Sequence, residues 1–324
     1  MRYFISSFII LIIGMVGGYL LGGLEGVYIA FLLVVLEVSL SFDNAIVNAK
    51  TLSTMDEVWQ NRFMVFGMPI AVFGMRLLFP LAIVAIVGDM GLLETLHVAL
   101  YEPHRYESIL QGTEVNIFAF GGAFLLMVFL DFFFEEHDVT WIKFLEDSKM
   151  IRKFSGVMNI ELIIAIAIGL LVGHITHDSG ILLAFLYGVL LHSILGMVDG
   201  LFSTESVKSG LAGFIYLEVL DASFSFDGVI GAFALSSNIF IIMIGLGVGA
   251  MFVRSITLVF VKHQTLSEYQ YLEHGAHYAI GILAVIMLIK IVTPINEAIT
   301  GTVGVGLILA AFIHSVLENK RTLS

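Results

Sequence analysis

The chain has 324 residues, of which 59% are hydrophobic and 13% charged. Soluble domains carry about 25% charged residues, so this composition is that of a polytopic membrane protein. A formal net charge of −12 excludes nucleic acid as a partner, and the absence of cysteine excludes disulfides, thiolate metal sites and thiol nucleophiles.

A membrane span needs roughly 20 mostly apolar residues. Ten segments meet that measure: 4–24, 27–50, 63–88, 115–134, 157–176, 179–201, 210–235, 238–261, 275–293 and 302–318. The first follows a lone Arg2 and lacks an Ala-x-Ala cleavage pattern, and Gly22-Gly23-Leu24-Glu25 leads straight into the second. It is therefore expected to be a retained span rather than a secretory signal. The third span carries Arg76 and the eighth Arg254, both deep enough to need partners. Asp131 and Lys290, near the ends of the fourth and ninth spans, are expected to snorkel toward water.

Two connections are long. Residues 89–113 carry Glu94, His97, Glu102, His104, Arg105 and Glu107. Residues 135–156 are charged, contain Trp141 and are expected to form an amphipathic surface helix. Both read as solvated connectors, the second also as a surface where a soluble partner could dock. His174, His177 and Asp178 sit together in a short outer loop, and His192 and Asp199 are spaced to share a face of the sixth span as a packing pair.

Ten spans place both termini and every second loop on one side. That side holds Arg2, Lys50, Arg62, Lys143, Lys149, Arg152, Lys153, Lys208, Lys262, Lys320 and Arg321, and the other holds Arg105 alone. The asymmetry predicts cytoplasmic N- and C-termini.

The second and seventh spans carry a repeated motif. Leu36-Glu37-Val38-Ser39-Leu40-Ser41-Phe42-Asp43 is echoed by Leu220-Asp221-Ala222-Ser223-Phe224-Ser225-Phe226-Asp227, with five of eight positions identical. Five spans of offset make the two copies cross the bilayer in opposite directions. The expected fold is thus an all-α helical bundle of two five-span inverted-topology repeats, residues 1–178 (motif span 27–50) and 179–324 (motif span 210–235), forming one membrane domain.

Polar residues alternate in each motif copy: Glu37, Ser39, Ser41 and Asp43, then Asp221, Ser223, Ser225 and Asp227. A period of two predicts a local unwinding or kink, which a membrane tolerates where the backbone lines a cavity. The alternative is a regular helix, on which Glu37, Ser41, Asn44 and Asn48 form one stripe, and Glu218, Asp221 and Ser225 another. Either geometry turns Glu37, Glu218 and Asp221 inward; only unwinding adds Asp43 and Asp227 to the same side.

Five carboxylates, the amides of Asn44 and Asn48 and serine hydroxyls such as Ser41 and Ser225 are hard oxygen donors, suited to Mg²⁺, Ca²⁺ or Mn²⁺. Acidic side chains within spans mark ion paths, and five acids against Arg76 and Arg254 favour a cation over an anion. The arginines then serve as counter-charges. Two other functions fit part of the pattern. Asp43 and Asp227 on separate spans could form an aspartyl-protease pair, but no presenilin-like Gly-x-Gly-Asp is present. The chain could also anchor a metal-stress complex through residues 135–156. Transport is the expectation, not enzymatic activity, with no prosthetic group.

Glu37 with Asp43-Asn44-Ala45, and Glu218-Val219-Leu220-Asp221 followed by Phe224-Ser225-Phe226-Asp227, resemble the paired elements of the TerC family of integral membrane proteins, named for tellurium resistance. That family commonly continues Ser-x-Pro-Ala after its late aspartate, where this chain has Gly228-Val229-Ile230-Gly231. The resemblance implies Mn²⁺ efflux across a bacterial cytoplasmic membrane. It also implies metal coordination by Glu37, Asp43, Asn44, Glu218, Asp221 and Asp227.

Overall fold

The computed structural model describes residues 2–322 except 79–80, 83, 86–88, 136–138, 147, 149–156, 158, 203–209, 234, 237, 263–268 and 296. Some helical side chains also lie outside the description, among them those of Asp43, Asp199, Ser225 and Asp227. Every regular element among the described residues is helical, and each of the ten apolar segments is helical over most of its described residues.

Helices α1 (Ile5–Leu40), α2 (Phe42–Ser53) and α3 (Glu57–Pro69) are followed by a π-helix (Ile70–Leu78). Next come α4 (Leu92–Tyr101), α5 (Pro103–Phe134), α6 (Lys143–Glu146), α7 (Ile160–Thr176) and α8 (Ser179–Phe202). The chain continues through α9 (Gly210–Phe233), α10 (Ile239–Lys262), α11 (Leu272–Lys290) and α12 (Glu297–Thr322). Among the described residues six helical stretches are long and apolar enough to cross a membrane: Ile5–Val38, Pro103–Phe134, Ser179–Met197, Ile239–Lys262, Leu272–Lys290 and Thr302–Asn319.

Polarity is distributed inside out. Glu37, Asn44, Asn48, Arg76, Glu218 and Arg254 are buried, whereas Ile12, Leu20, Leu24, Leu170, Leu190 and Ile194 are exposed. Water would drive the reverse; a lipid solvent permits this arrangement, because tails hydrate nothing and cost apolar side chains nothing. The chain is an integral membrane protein.

It forms two compact units, Met1–Val115 with Thr204–Val259, and Asn116–Ser203 with Phe260–Ser324. Each unit draws segments from both halves of the sequence.

In the first unit, α1 is not one rod. Gly22 and Gly23 leave helical geometry, Gly23 at φ 61°, ψ −146°, a conformation open essentially to glycine alone. The arms on either side lie together, since a Cβ on Gly18 would stand 3.1 Å from the Gly26 carbonyl oxygen and 3.5 Å from Ala30 Cβ. Helix α10 runs along both arms. Ascending it, Ile241, Ile244 and Val248 meet Gly22, Gly17 and Gly14 on the first arm, and Ser255 meets Ser7 and donates its hydroxyl to the Tyr3 carbonyl. On the second arm Ile241, Gly245 and Gly249 meet Gly26, Leu33 and Glu37. One series descends in number while the other climbs, so the arms are antiparallel. Gly245 and Gly249, four residues apart, supply the bare surface that lets the second arm approach.

Asp56 starts α3 by accepting a 2.8 Å hydrogen bond from the Trp59 N–H. Pro69 ends it: proline has no N–H for the helical ladder, and the chain widens into the nine-residue π-helix.

In the second unit, α7 and α8 form a hairpin turned by His177 in left-handed geometry (φ 53°, ψ 24°), its N–H bonded to the Gly173 carbonyl at 3.0 Å. Asp178 accepts from the Gly180 N–H at 2.7 Å, so its carboxylate serves the turn. Helices α11 and α12 pair through the Tyr271 N–H and Ser315 Oγ at 2.9 Å. One expectation changes here. Lys290 does not snorkel: it is buried, with Nζ 5.1 Å from the Phe118 ring centre. His192 pairs with Asp131, Nε2 to Oδ2 3.4 Å, across two helices that bring them closer than sequence spacing suggests; the side chain of its expected mate Asp199 lies outside the described residues.

Of the amphipathic helix expected after α5, the described residues of the connection show one short helical segment, Lys143–Glu146. Glu146 fixes it by accepting from the Trp141 and Ile142 N–H groups at 2.9 and 3.1 Å and from the Tyr278 hydroxyl at 2.9 Å. Trp141 Nε1 completes the anchorage at 3.0 Å from His314 Nδ1. The 89–113 connection is helical, split between α4 and the start of α5.

Candidate functional site

The first motif copy keeps helical register. Only Ser41 departs, at φ −105°, ψ 17°, while its N–H still bonds the Glu37 carbonyl at 3.0 Å and its own carbonyl accepts from Ala45 at 3.2 Å. The result is a slight kink, and Glu37, Ser41, Asn44 and Asn48 remain one buried stripe. The second copy runs through α9 without a break. The unwinding suggested by alternating polarity is therefore confined to one residue. An opened backbone among apolar side chains would leave amide groups unmet, which the helix avoids.

Asp221 of the second copy reaches the first. Asn44 Nδ2 donates to Asp221 Oδ1 at 2.8 Å. Ser41 Oγ donates to Glu37 Oε1 at 3.0 Å. Arg76, from the π-helix, forms an ion pair with Glu37 Oε1, and its Nη1 lies 3.7 Å from Asp221 Oδ2. Both members of the Arg76–Glu37 pair are 1% exposed, so their charges have no water to lean on. Glu37 passes α10 at Gly249, where a Cβ would fall 2.5 Å from that of Glu37.

Beside this network lies a cavity of about 20 Å³, room for a water-sized or ion-sized occupant. Its polar lining includes Asn48, Glu218, Asp221, Arg254 and Thr257, with Phe63, Gly67, Ala250 and Val253 as the apolar part. Asn48 Oδ1, Glu218 Oε1 and Asp221 Oδ2 are buried oxygens with no hydrogen-bond partner among the described residues. Arg254 lies with its guanidinium carbon 4.3 Å from the Phe63 ring centre.

The structure thus brings together Glu37, Ser41, Asn44, Arg76 and Asp221, and gathers Asn48, Glu218 and Arg254 with Asp221 around the adjoining cavity. Asp43 and Asp227 lie in α2 and α9, but their side chains and that of Ser225 are outside the described residues. Among the described residues no three histidine or acidic side chains form a metal-binding group. An ion in the cavity would meet two carboxylates and an amide.

Phe63 and Gly67 were not singled out by sequence reasoning. A glycine two residues before Pro69 inside a span is a visible irregularity, but with 32 glycines in the chain it does not stand out. Phe63 has no signal except its position four residues before that glycine.

An all-helical membrane protein with buried carboxylates and arginines at its core is the class defined by this fold and site. The chain belongs to the family described as "Protein of unknown function (DUF475)", which it matches over residues 42–322. No curated protein and no solved structure matches it.

Proposed function

We propose that the protein exports a divalent cation, Mn²⁺ foremost and Mg²⁺ or Ca²⁺ by the same donor chemistry, across a bacterial cytoplasmic membrane. One observation carries the reading: oxygens of Asn48, Glu218 and Asp221 that have no hydrogen-bond partner among the described residues line one cavity. Buried acceptors without donors are costly, and a hard cation is the occupant that satisfies several of them together. The two motif spans carry five acids, Glu37, Asp43, Glu218, Asp221 and Asp227, against the intramembrane Arg76 and Arg254, so a dication reduces the formal charge imbalance and an oxyanion such as tellurite increases it.

The TerC resemblance of the two motif copies supports the same reading. In this proposal the chain crosses the membrane ten times as two inverted repeats with both termini cytoplasmic. Cation neutralisation of the motif carboxylates permits closure, and Asp43 and Asp227 complete the path. The test is flux into proteoliposomes, with Mn²⁺, Mg²⁺, Ca²⁺ and Zn²⁺ compared. Mn²⁺ flux abolished by Asp221→Asn supports export; absence of flux for all four ions overturns it.

A further inference from the structure

The two buried arginines are held in different ways. Arg76 is clamped, paired with Glu37 and near Asp221 at 3.7 Å. Arg254 rests on the face of Phe63, and its Nε and Nη2 have no hydrogen-bond partner among the described residues. Across the same cavity Glu218 Oε1 is equally unmatched. Donors and an acceptor of opposite charge are thus buried side by side without being joined.

What stands between them is the space over Gly67. A Cβ there would lie 2.5 Å from Arg254 Nη2 and 2.6 Å from Glu218 Oε1. The missing side chain leaves a gap bordered by both groups, and each is the free end of a flexible side chain. A guanidinium on a long stem can close such a gap. It also keeps its charge at neutral pH.

We infer that Arg254 is the displaceable counter-cation of this site, while Arg76 stays paired. With a substrate cation on the Asn48, Glu218 and Asp221 oxygens, Arg254 is parked on Phe63. When the cation leaves, Arg254 swings over Gly67 onto Glu218 and hinders rebinding. This inference rests on the cation-transport reading and adds to it the residue that drives release. Because arginine keeps its charge, this step needs no proton at Arg254.

The test uses the full chain in detergent for Mn²⁺ titration calorimetry and in proteoliposomes for Mn²⁺ exchange. Arg254→Gln is expected to bind Mn²⁺ at least tenfold more tightly and to release it at least tenfold more slowly. Arg254→Lys, which keeps the charge, should release within threefold of the wild-type rate. Phe63→Leu, which removes the parking place and keeps an apolar side chain, should bind at least threefold more weakly. A purely structural role predicts weaker binding for Arg254→Gln, and that result overturns the inference, as does an unchanged affinity. Should Arg254→Gln fail to fold, an unchanged affinity in Phe63→Leu overturns it instead. If the wild type binds Mn²⁺ and Glu218→Gln loses it, while Arg254→Gln behaves as wild type, only the role of Arg254 falls. If the wild type binds none of Mn²⁺, Mg²⁺ and Ca²⁺, the cation site falls and this inference with it.

Discussion

Asn44 and Asp221, 177 residues apart, are joined by a 2.8 Å hydrogen bond that links the two copies of the repeated motif. The amide is oriented by its task, with Nδ2 donating to a carboxylate. Replacing Asn44 by alanine should cost about 1–3 kcal/mol, because it leaves a half-buried carboxylate oxygen short of a donor. Asn44→Asp should be worse, since it sets a second carboxylate against Asp221. Thermal unfolding in detergent should rank wild type above Asn44→Ala and Asn44→Asp last.

Arg76 and Glu37 form a pair with almost no exposure. Breaking it from one side leaves a buried charge uncompensated, so Arg76→Gln should destabilise by about 3–5 kcal/mol. The double variant Glu37→Gln with Arg76→Gln removes both charges and should recover part of that loss. A double variant no more stable than Arg76→Gln would show that the pair is not the source of the effect.

Gly67→Ala places a methyl group in the gap between Arg254 and Glu218. Both neighbours are flexible ends that can shift, so the protein should fold, with a melting temperature close to wild type. Cation affinity should drop at least tenfold as the cavity fills. Wild-type affinity in this variant would place the ion elsewhere.

A bound ion stabilises the folded state in proportion to its occupancy, by about 2.7 kcal/mol at a hundredfold excess over Kd. Mn²⁺ should therefore raise the melting temperature of the wild type, and a chelator should reverse the rise. Glu218→Gln and Asp221→Asn should each lose most of the shift. Persistence of the full shift in both variants would rule the cavity out as the binding site.

Gly23 takes up a backbone conformation foreign to other residues, so Gly23→Ala should cost about 1–3 kcal/mol. Gly112, inside α5 with open space around its Cβ position, is the control: Gly112→Ala should be neutral or stabilising by about 0.5–1 kcal/mol. Unfolding of the two variants side by side separates backbone strain from a general sensitivity to added methyl groups.

Much of the local structure was legible in the chain. The apolar segments are helical, and the Gly22-Gly23 reversal falls where one segment gives way to the next. The stripe Glu37, Ser41, Asn44 and Asn48 could be read from helical spacing, because four polar residues on one face of an apolar helix must turn inward. The alternating polarity misled about the backbone. Hydroxyls such as Ser41 Oγ are content on a neighbouring carboxylate, and no strand-like opening is needed to satisfy them.

Partnerships were a different matter. Packing sets Asp131 beside His192, a contact between residues 61 positions apart that no spacing within one span announces. Both arginines looked alike as counter-charges, and only their surroundings separate the clamped Arg76 from Arg254 on its aromatic rest. Which arginine meets which acid depends on how α3, the π-helix, α9 and α10 assemble, and that information is spread over contacts far apart in the chain.

By itself, then, the sequence determined that the chain is helical, belongs in lipid and turns Glu37 and Glu218 inward, because composition and periodicity respond directly to solvent and to helix geometry. The tertiary structure alone decided that Asn48, Glu218 and Asp221 share a cavity, that Asn44 ties one motif copy to the other, and that Gly67 leaves room beside Arg254. Those facts depend on distances of a few ångströms between residues up to 177 positions apart. No local pattern encodes such distances; close packing sets them.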